Sequence, residues 1–186
     1  NAMSEWIDPY SLHENHEQRK LHLGRYNWAA IHVRSQRIAN AACSCNYGSH
    51  ILMKAENAVN REVVGFDRNE NALALAEKFY PGIETRKQDI QNETFDGFTA
   101  LVCLETFEHL EKPWEFLEGL APSVKELVMS TPVIPTKHFN EFHLHDFTLE
   151  EVREGLKARG WTIQNEAFQD EEMFAKPTYA LFYATR

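Results

Sequence analysis

The sequence lacks any apolar run close to the roughly 20 residues that a helix needs to span a bilayer. It also lacks the h-region of a secretion signal. It has only three cysteines, which cannot all pair within one chain and which lie among apolar or small residues. These absences predict a protein of a reducing, cytoplasmic setting with no membrane partner.

Basic side chains are also scarce, with 19 Lys and Arg against 28 Asp and Glu and a formal net charge of −9. An acidic surface repels phosphate backbones, so this balance disfavours nucleic acid as a substrate unless a local basic patch exists. The 186 residues are 43% hydrophobic and 25% charged, an ordinary globular composition. They predict a single domain over 1–186.

Strand and helix patterns alternate along the chain. The apolar runs that predict strands cover 37–42, 62–67, 83–87, 98–104, 126–130, 161–168 and 178–185. This order predicts an α/β fold with a doubly wound, mostly parallel seven-stranded sheet whose last strand runs antiparallel. The stretch 21–33 has a helical stripe, which predicts a helical lid within 1–35 in front of an α/β core at 36–186.

Ligands of such sheets bind at the carboxyl ends of the strands. The loop 42–49 follows the first strand and contains one glycine, Gly48, while Asn46 is able to take the left-handed conformation. Asp67 ends the second strand, where a carboxylate accepts hydrogen bonds from ribose hydroxyls or, alternatively, caps a helix. Asp89 follows the third strand and is either an acceptor for an exocyclic amine or a solvated loop residue.

Several motifs together resemble one enzyme family. Residues 22–26 resemble H-x-x-R-Y, 38–49 resemble V-L-D-I-A-C-G-T-G-Y-G-S, and 64–67 resemble V-G-V-D. Residues 95–113 resemble F-D-V-V-V-C-x-E-x-x-E-H-L-x-x-P, the most specific stretch, and S-T-P and N-x-F-H follow at 130–132 and 140–143. The family is the class I S-adenosylmethionine-dependent methyltransferases, in particular those acting on glycans and small molecules.

The resemblance implies S-adenosylmethionine as cofactor and a small-molecule or saccharide acceptor. The first loop would cradle the amino-acid end of the cofactor, and Asp67 would hold its ribose. The implied cofactor-binding residues are Tyr26, Asn40, Cys43, Ser44, Asn46, Gly48, Asp67, Arg68, Asp89, Ile90, Leu104 and Glu105. Glu108, His109 and His143 are the candidate bases for an acceptor that must lose a proton, with helix capping as the alternative for the first two.

The first loop departs from the family pattern at three positions. Asn40 stands where the family has an acid, and Ser44 and Asn46 stand where it has glycines. These changes remove a negative charge and add side chains where backbone approaches a ligand. A catalytically silent methyltransferase-like binding or partner subunit is therefore the alternative function. A nucleotide-sugar or NAD-dependent oxidoreductase is a third interpretation, but G-x-G-x-x-G and a Tyr-x-x-x-Lys pair are lacking.

The sequence predicts no bound metal ion, because Cys43 and Cys45 lack a second cysteine pair. A metal-binding set of His138, His143, His145 and Asp146 is the alternative. The sequence indicates neither the acceptor atom nor an oligomeric state.

Overall fold

The computed structural model describes residues 16–171 and 177–186, so residues 1–15 of the predicted lid lie outside the described part. None of the helices it describes combines the length and the apolar character needed to cross a membrane.

The described elements alternate as expected. The helices are α1 (His16–His32), α2 (Tyr47–Lys54), α3 (Glu70–Phe79), α4 (Pro113–Glu118) and α5 (Leu149–Ala158). The strands are β1 (Arg37–Ala41), β2 (Glu62–Asp67), β3 (Thr85–Lys87), β4 (Ala100–Leu104), β5 (Glu126–Pro132), β6 (Thr162–Gln169) and β7 (Tyr179–Thr185). Two short 3-10 turns lie at Ile90–Asn92 and Phe107–His109.

The strands form one seven-stranded sheet in the order β3-β2-β1-β4-β5-β7-β6. The pairs from β3 to β5 are parallel, and β7 pairs antiparallel with both β5 and β6. This arrangement confirms the predicted fold class and the antiparallel final strand. The strand order reverses between β1 and β4, which opens a crevice at their carboxyl ends.

Local sequence explains the clearest boundaries. All five residues of β4 are buried, as in a strand that helices cover on both faces. A capping box in which Thr148 and Glu151 exchange hydrogen bonds starts α5. The prediction for β5 was too short, because the strand continues through Thr131 and Pro132. Pro132 lies opposite Tyr179 at the end of the strand, where the missing N–H of proline is tolerated.

Candidate functional site

A cavity of about 760 Å³ lies at the carboxyl ends of β1, β2 and β4, beneath α1. Most of the predicted site residues line it. These are Tyr26, Ser44, Asp67, Arg68, Asp89, Ile90, Leu104, Glu105, Glu108, His109 and His143. The structure does not bring Asn40, Cys43, Asn46 and Gly48 to the cavity lining.

One side of the cavity, the β2 wall, consists of Ser44, Asp67 and Asp89. The carboxylate of Asp67 accepts hydrogen bonds from the backbone N–H groups of Ser44 and Asn69, both at 2.8 Å. The helix-cap alternative does not apply to Asp67, since Asn69 caps α3. Asp89 does act as a cap, because its side chain accepts from the N–H of Gln91 at the first 3-10 turn.

The loop between β1 and α2 follows an unusual backbone path without glycine at its turning points. Ala42, Ser44 and Asn46 have φ angles of 54°, 52° and 70°, in the left-handed region. Glycine usually supplies this conformation, so the loop adopts it here with the side chains of Ser44 and Asn46 present. The left-handed conformation predicted for Asn46 is therefore present.

The side chain of Asn46 points away from the cavity. It is fully buried beneath the loop, and its amide has no hydrogen-bond partner among the described residues. It packs with Cys43 over Gly65 of β2, where a Cβ would collide with Asn46 and approach the Cys43 sulfur to 2.7 Å. Because β2 lacks a side chain at this point, the side chain of Asn46 takes space from the sheet and not from the cavity.

Asn40 is also fully buried, and its side chain links α1 to α2. Its Oδ1 accepts from the Tyr26 hydroxyl at 3.1 Å, and its Nδ2 donates to the Ser49 hydroxyl at 3.0 Å. The ring of Tyr26 packs against Gly48, where a Cβ would collide with it. Asn40 and Gly48 thus dock α1 onto the loop, and Tyr26 presents one edge to the cavity.

The opposite side, the β4 wall, consists of Glu105, Glu108, His109 and His143. Glu105 directly follows β4 with a φ of 47°, another left-handed residue. Its Oε2 accepts from the Ser130 hydroxyl at 2.7 Å, and its Oε1 lies 3.9 Å from the guanidinium of Arg25. Contacts to β5 and α1 therefore hold the carboxylate of Glu105 in the cavity.

Glu108 belongs to the second 3-10 turn and is only 1% exposed. Its Oε2 accepts from the Thr131 hydroxyl at 3.2 Å. Burial, reinforced by the negative charge of Glu105, raises the pKa of the Glu108 carboxyl well above its ordinary value. The neighbouring His109 donates Nδ1–H to the carbonyl of Phe142 at 2.9 Å, so its Nε2 carries the lone pair.

His143 reaches the same wall from the long loop after β5. Its Nδ1 lies 2.6 Å from the Thr136 hydroxyl, and its ring meets that of His109 edge-on at 4.7 Å. Burial, with a smaller contribution from His109, lowers the pKa of His143 to about 4. His143 is therefore neutral at pH 7.

Two other residues of the alternative metal-binding set stabilise this loop. Asp146 accepts from the backbone N–H groups of Thr136 and Lys137, and the ring of His145 contacts the carbonyl of Leu110 at 2.8 Å. The only group of at least three possible metal ligands found among the described residues is Glu108, His109 and His143.

Residues 42–126 match the family model described as "Methyltransferase domain". A search of curated proteins finds no match. Among solved structures, the magnesium protoporphyrin IX methyltransferase from Synechocystis PCC 6803 has a TM-score of 0.71 at 15% identity, over 90% of this chain and 84% of that one. The chain has the class I methyltransferase fold.

Other methyltransferases with this fold are equally distant in sequence. The small RNA methyltransferase HEN1 has a TM-score of 0.69 at 17% identity, and the match covers 89% of this chain but only 25% of that one. A putative methyltransferase in complex with the Haloferax volcanii Trm112 activator has a TM-score of 0.70 at 13% identity, over 91% of each chain. At these identities the likeness shows the fold alone.

The structure adds residues to the cavity that the sequence did not single out. Arg25 is 2% exposed, contacts the Tyr179 ring at 4.4 Å and lies beside His22. Burial and the charge of Arg25 lower the pKa of His22 to about 3. The H-x-x-R-Y motif contained the signal for Arg25 and His22, whereas Tyr179 reaches the cavity only because β7 returns beside β5.

Proposed function

We propose that this protein transfers a methyl group from S-adenosylmethionine to a small-molecule or saccharide acceptor. The observation that carries the proposal is the cavity at the carboxyl ends of β1, β2 and β4, which has a carboxylate on each side. Its volume of about 760 Å³ is within the range of about 300–1,000 Å³ that is usual for small-molecule and cofactor sites.

The residues of the β2 wall fit the adenosine part of the cofactor. Asp67 follows β2 and is held by two backbone N–H groups, as expected for an acceptor of ribose hydroxyls. Arg68, Asp89 and Ile90 would meet the adenine. The buried Arg25 has no hydrogen-bond partner for its Nε among the described residues, and its positive charge suits the cofactor's carboxylate.

The cofactor supplies an electrophilic methyl group on a sulfonium. Leu104 and Glu105 would line the methyl-donor pocket, and Tyr26 would close it. The protein's main task is to hold an acceptor atom in line with that methyl group and to exclude water. On the β4 wall, Glu108, His109 and His143 would receive the proton of an acceptor that must lose one.

The charge of the cavity favours a neutral or cationic acceptor. Seven carboxylates and two arginines are found among the described residues that line it. Such a lining repels a phosphodiester chain. The fold itself does not choose the acceptor, since the similar structures include enzymes titled as RNA and porphyrin methyltransferases.

Calorimetric titration with S-adenosylhomocysteine tests the cofactor assignment. Asp67→Ala should weaken binding about ten- to a hundredfold, because it removes a charged acceptor worth about 1.5–3 kcal/mol. Asp96→Ala is the matched control, since Asp96 is exposed in the turn before β4 and does not line the cavity.

Two outcomes would contradict the proposal. Equal affinity of Asp67→Ala and the parent would place the ribose elsewhere. If the folded parent fails to bind at millimolar ligand, the silent-subunit alternative replaces the enzyme.

The acceptor class is tested separately with methyl-labelled S-adenosylmethionine. Label should enter saccharide or small-molecule mixtures, and transfer to a short RNA instead would overturn the acceptor assignment.

A further inference from the structure

Three side chains with metal-ligating atoms converge on the β4 wall. Glu108 and His109 come from the second 3-10 turn, and His143 comes from the loop after β5. One possible ligand atom from each lies within 4.8 Å of the other two. First-row divalent cations hold nitrogen and oxygen ligands at about 2.0–2.2 Å, so neighbouring ligand atoms on such an ion are about 3.0–3.4 Å apart. Side-chain rotations that move each ligand atom by about 1 Å therefore suffice to close these three around one ion.

The surroundings orient two of these ligands. His109 donates Nδ1–H to the Phe142 carbonyl, which places the lone pair on Nε2, 3.8 Å from Glu108 Oε1. Thr131 donates to the other carboxylate oxygen of Glu108. An imidazole whose far N–H binds a carbonyl, next to a carboxylate held by a hydroxyl, is the outer arrangement typical of metal ligands.

The third ligand is held in a similar way. With Nδ1–H of His143 donated to the Thr136 hydroxyl, Nε2 carries the lone pair. The side-chain amide of Asn140 contacts that nitrogen at 3.0 Å. A cation would replace the amide at this position, and the Thr136 contact would keep the ring in place.

Charge in this part of the cavity also favours a cation. Glu105 lies close enough to Glu108 for their negative charges to interact, and both side chains are at most 15% exposed. Arg25 lies 3.9 Å from Glu105. Two carboxylates in a partly dehydrated site repel each other, and a divalent ion between carboxylate and imidazole ligands would offset that repulsion.

We propose that Glu108, His109 and His143 bind one divalent cation of the first transition series. Two imidazole nitrogens and one carboxylate suit this class of ion, and three protein ligands leave coordination positions open. All three residues line the cavity, so the open positions face the acceptor. This departs from the prediction of no bound metal. Resting on the proposed function, the ion would occupy the lone pairs that these residues otherwise offer as bases, and it would polarise an acceptor hydroxyl as a Lewis acid.

The test is a Co²⁺ titration of the chelator-treated full chain, without cofactor or acceptor, followed by visible absorption and calorimetry. The parent should bind one equivalent. Glu108→Gln keeps the shape and the Thr131 contact and should weaken Co²⁺ binding at least about a hundredfold, as should His143→Gln, because loss of a ligand exceeds the effect of an outer contact. Zn²⁺ should compete with Co²⁺ for the same equivalent.

His138→Gln is the matched control, since His138 is an exposed histidine five positions from His143 in the chain. It should bind Co²⁺ as the parent does, and far-ultraviolet circular dichroism should show that all variants are folded. The proposal is overturned if the parent binds no Co²⁺, if both ligand variants bind like the parent, or if His138→Gln loses binding. S-adenosylhomocysteine titration of the same samples separates this outcome from a failure of the proposed function.

Discussion

The two walls of the cavity are built on different principles. On the β2 wall, the backbone positions the site. Two backbone N–H groups hold Asp67, and three residues with left-handed φ angles shape the loop. On the β4 wall, buried side chains hold one another, with Ser130, Thr131 and Thr136 contacting Glu105, Glu108 and His143.

The comparison shows why the altered loop leaves room for a ligand. The loop backbone can keep its path beside the cavity when its side chains pack elsewhere. The space above Gly65 accommodates those of Cys43 and Asn46. The β4 wall has no such freedom, because a buried ionisable group depends on each of its contacts. The β2 wall should therefore be sensitive to added volume, and the β4 wall to lost hydrogen bonds and to pH.

The largest effect is expected from Gly65→Ala. The new methyl group would collide with Asn46 and Cys43 and should lower the free energy of unfolding by about 2–3 kcal/mol, the usual cost of overpacking. Urea unfolding measures it. Gly82→Ala is the control, because nothing lies within 4 Å of a Cβ there. If both variants are equally stable, the loop side chains do not occupy the space above Gly65.

Acid should lower the free energy of unfolding through His22, which lies on α1 beside Arg25. The pKa of His22 is lowered to about 3, so its contribution to stability is complete above pH 6.5 and is lost as the pH falls toward 3. Between pH 7 and 5 this loss amounts to about 2 kcal/mol. In His22→Gln, the unfolding free energy should fall by about 2 kcal/mol less than in the parent between pH 7 and 5.

The exposed His138 provides the comparison for this experiment, and His138→Gln should keep the parent's pH dependence. An unchanged pH dependence in His22→Gln would mean that His22 is protonated in the folded protein despite its position beside Arg25.

A smaller effect is expected from Thr131→Val, which tests the β4 wall directly. It removes the hydroxyl that donates to Glu108 and should cost about 1–2 kcal/mol of unfolding free energy at pH 7. Thr162→Val, the same change at an exposed position of β6, should stay within about 0.5 kcal/mol of the parent. Equal stability of the two variants would show that Glu108 does not depend on this bond.

The smallest effect belongs to Ser44→Gly. Relief of a left-handed φ should exceed the entropy cost of glycine and stabilise the fold by about 0.5–1 kcal/mol. Asn60→Gly changes another left-handed residue, at an exposed turn outside the cavity lining. Both should raise stability in urea unfolding, but only Ser44→Gly should alter the affinity for S-adenosylhomocysteine. A loss of stability in Ser44→Gly would contradict the strain inferred for this loop.

Much of the site was predictable because the strand ends were. Asp67, Asp89, Leu104 and Glu105 directly follow or end apolar runs, and parallel strands place such residues at one edge of the sheet. The directions of side chains within the first loop were not predictable. Asn40 and Asn46 have the right spacing for a cofactor loop, yet they face Tyr26, Ser49 and Gly65. Spacing along a chain does not reveal which side of an irregular loop is buried.

The sequence alone determined the strands and helices, the mostly parallel sheet with its antiparallel last strand, and the strand ends that border the cavity, because apolar runs and helical patterns are local properties that the solvent enforces. Only the tertiary structure decided what meets across the cavity. Glu108 and His143 are 35 positions apart, and they come together because the loop after β5 docks on the second 3-10 turn through the Phe142 carbonyl and the Leu144 N–H. That docking depends on contacts between distant segments, which no local pattern encodes.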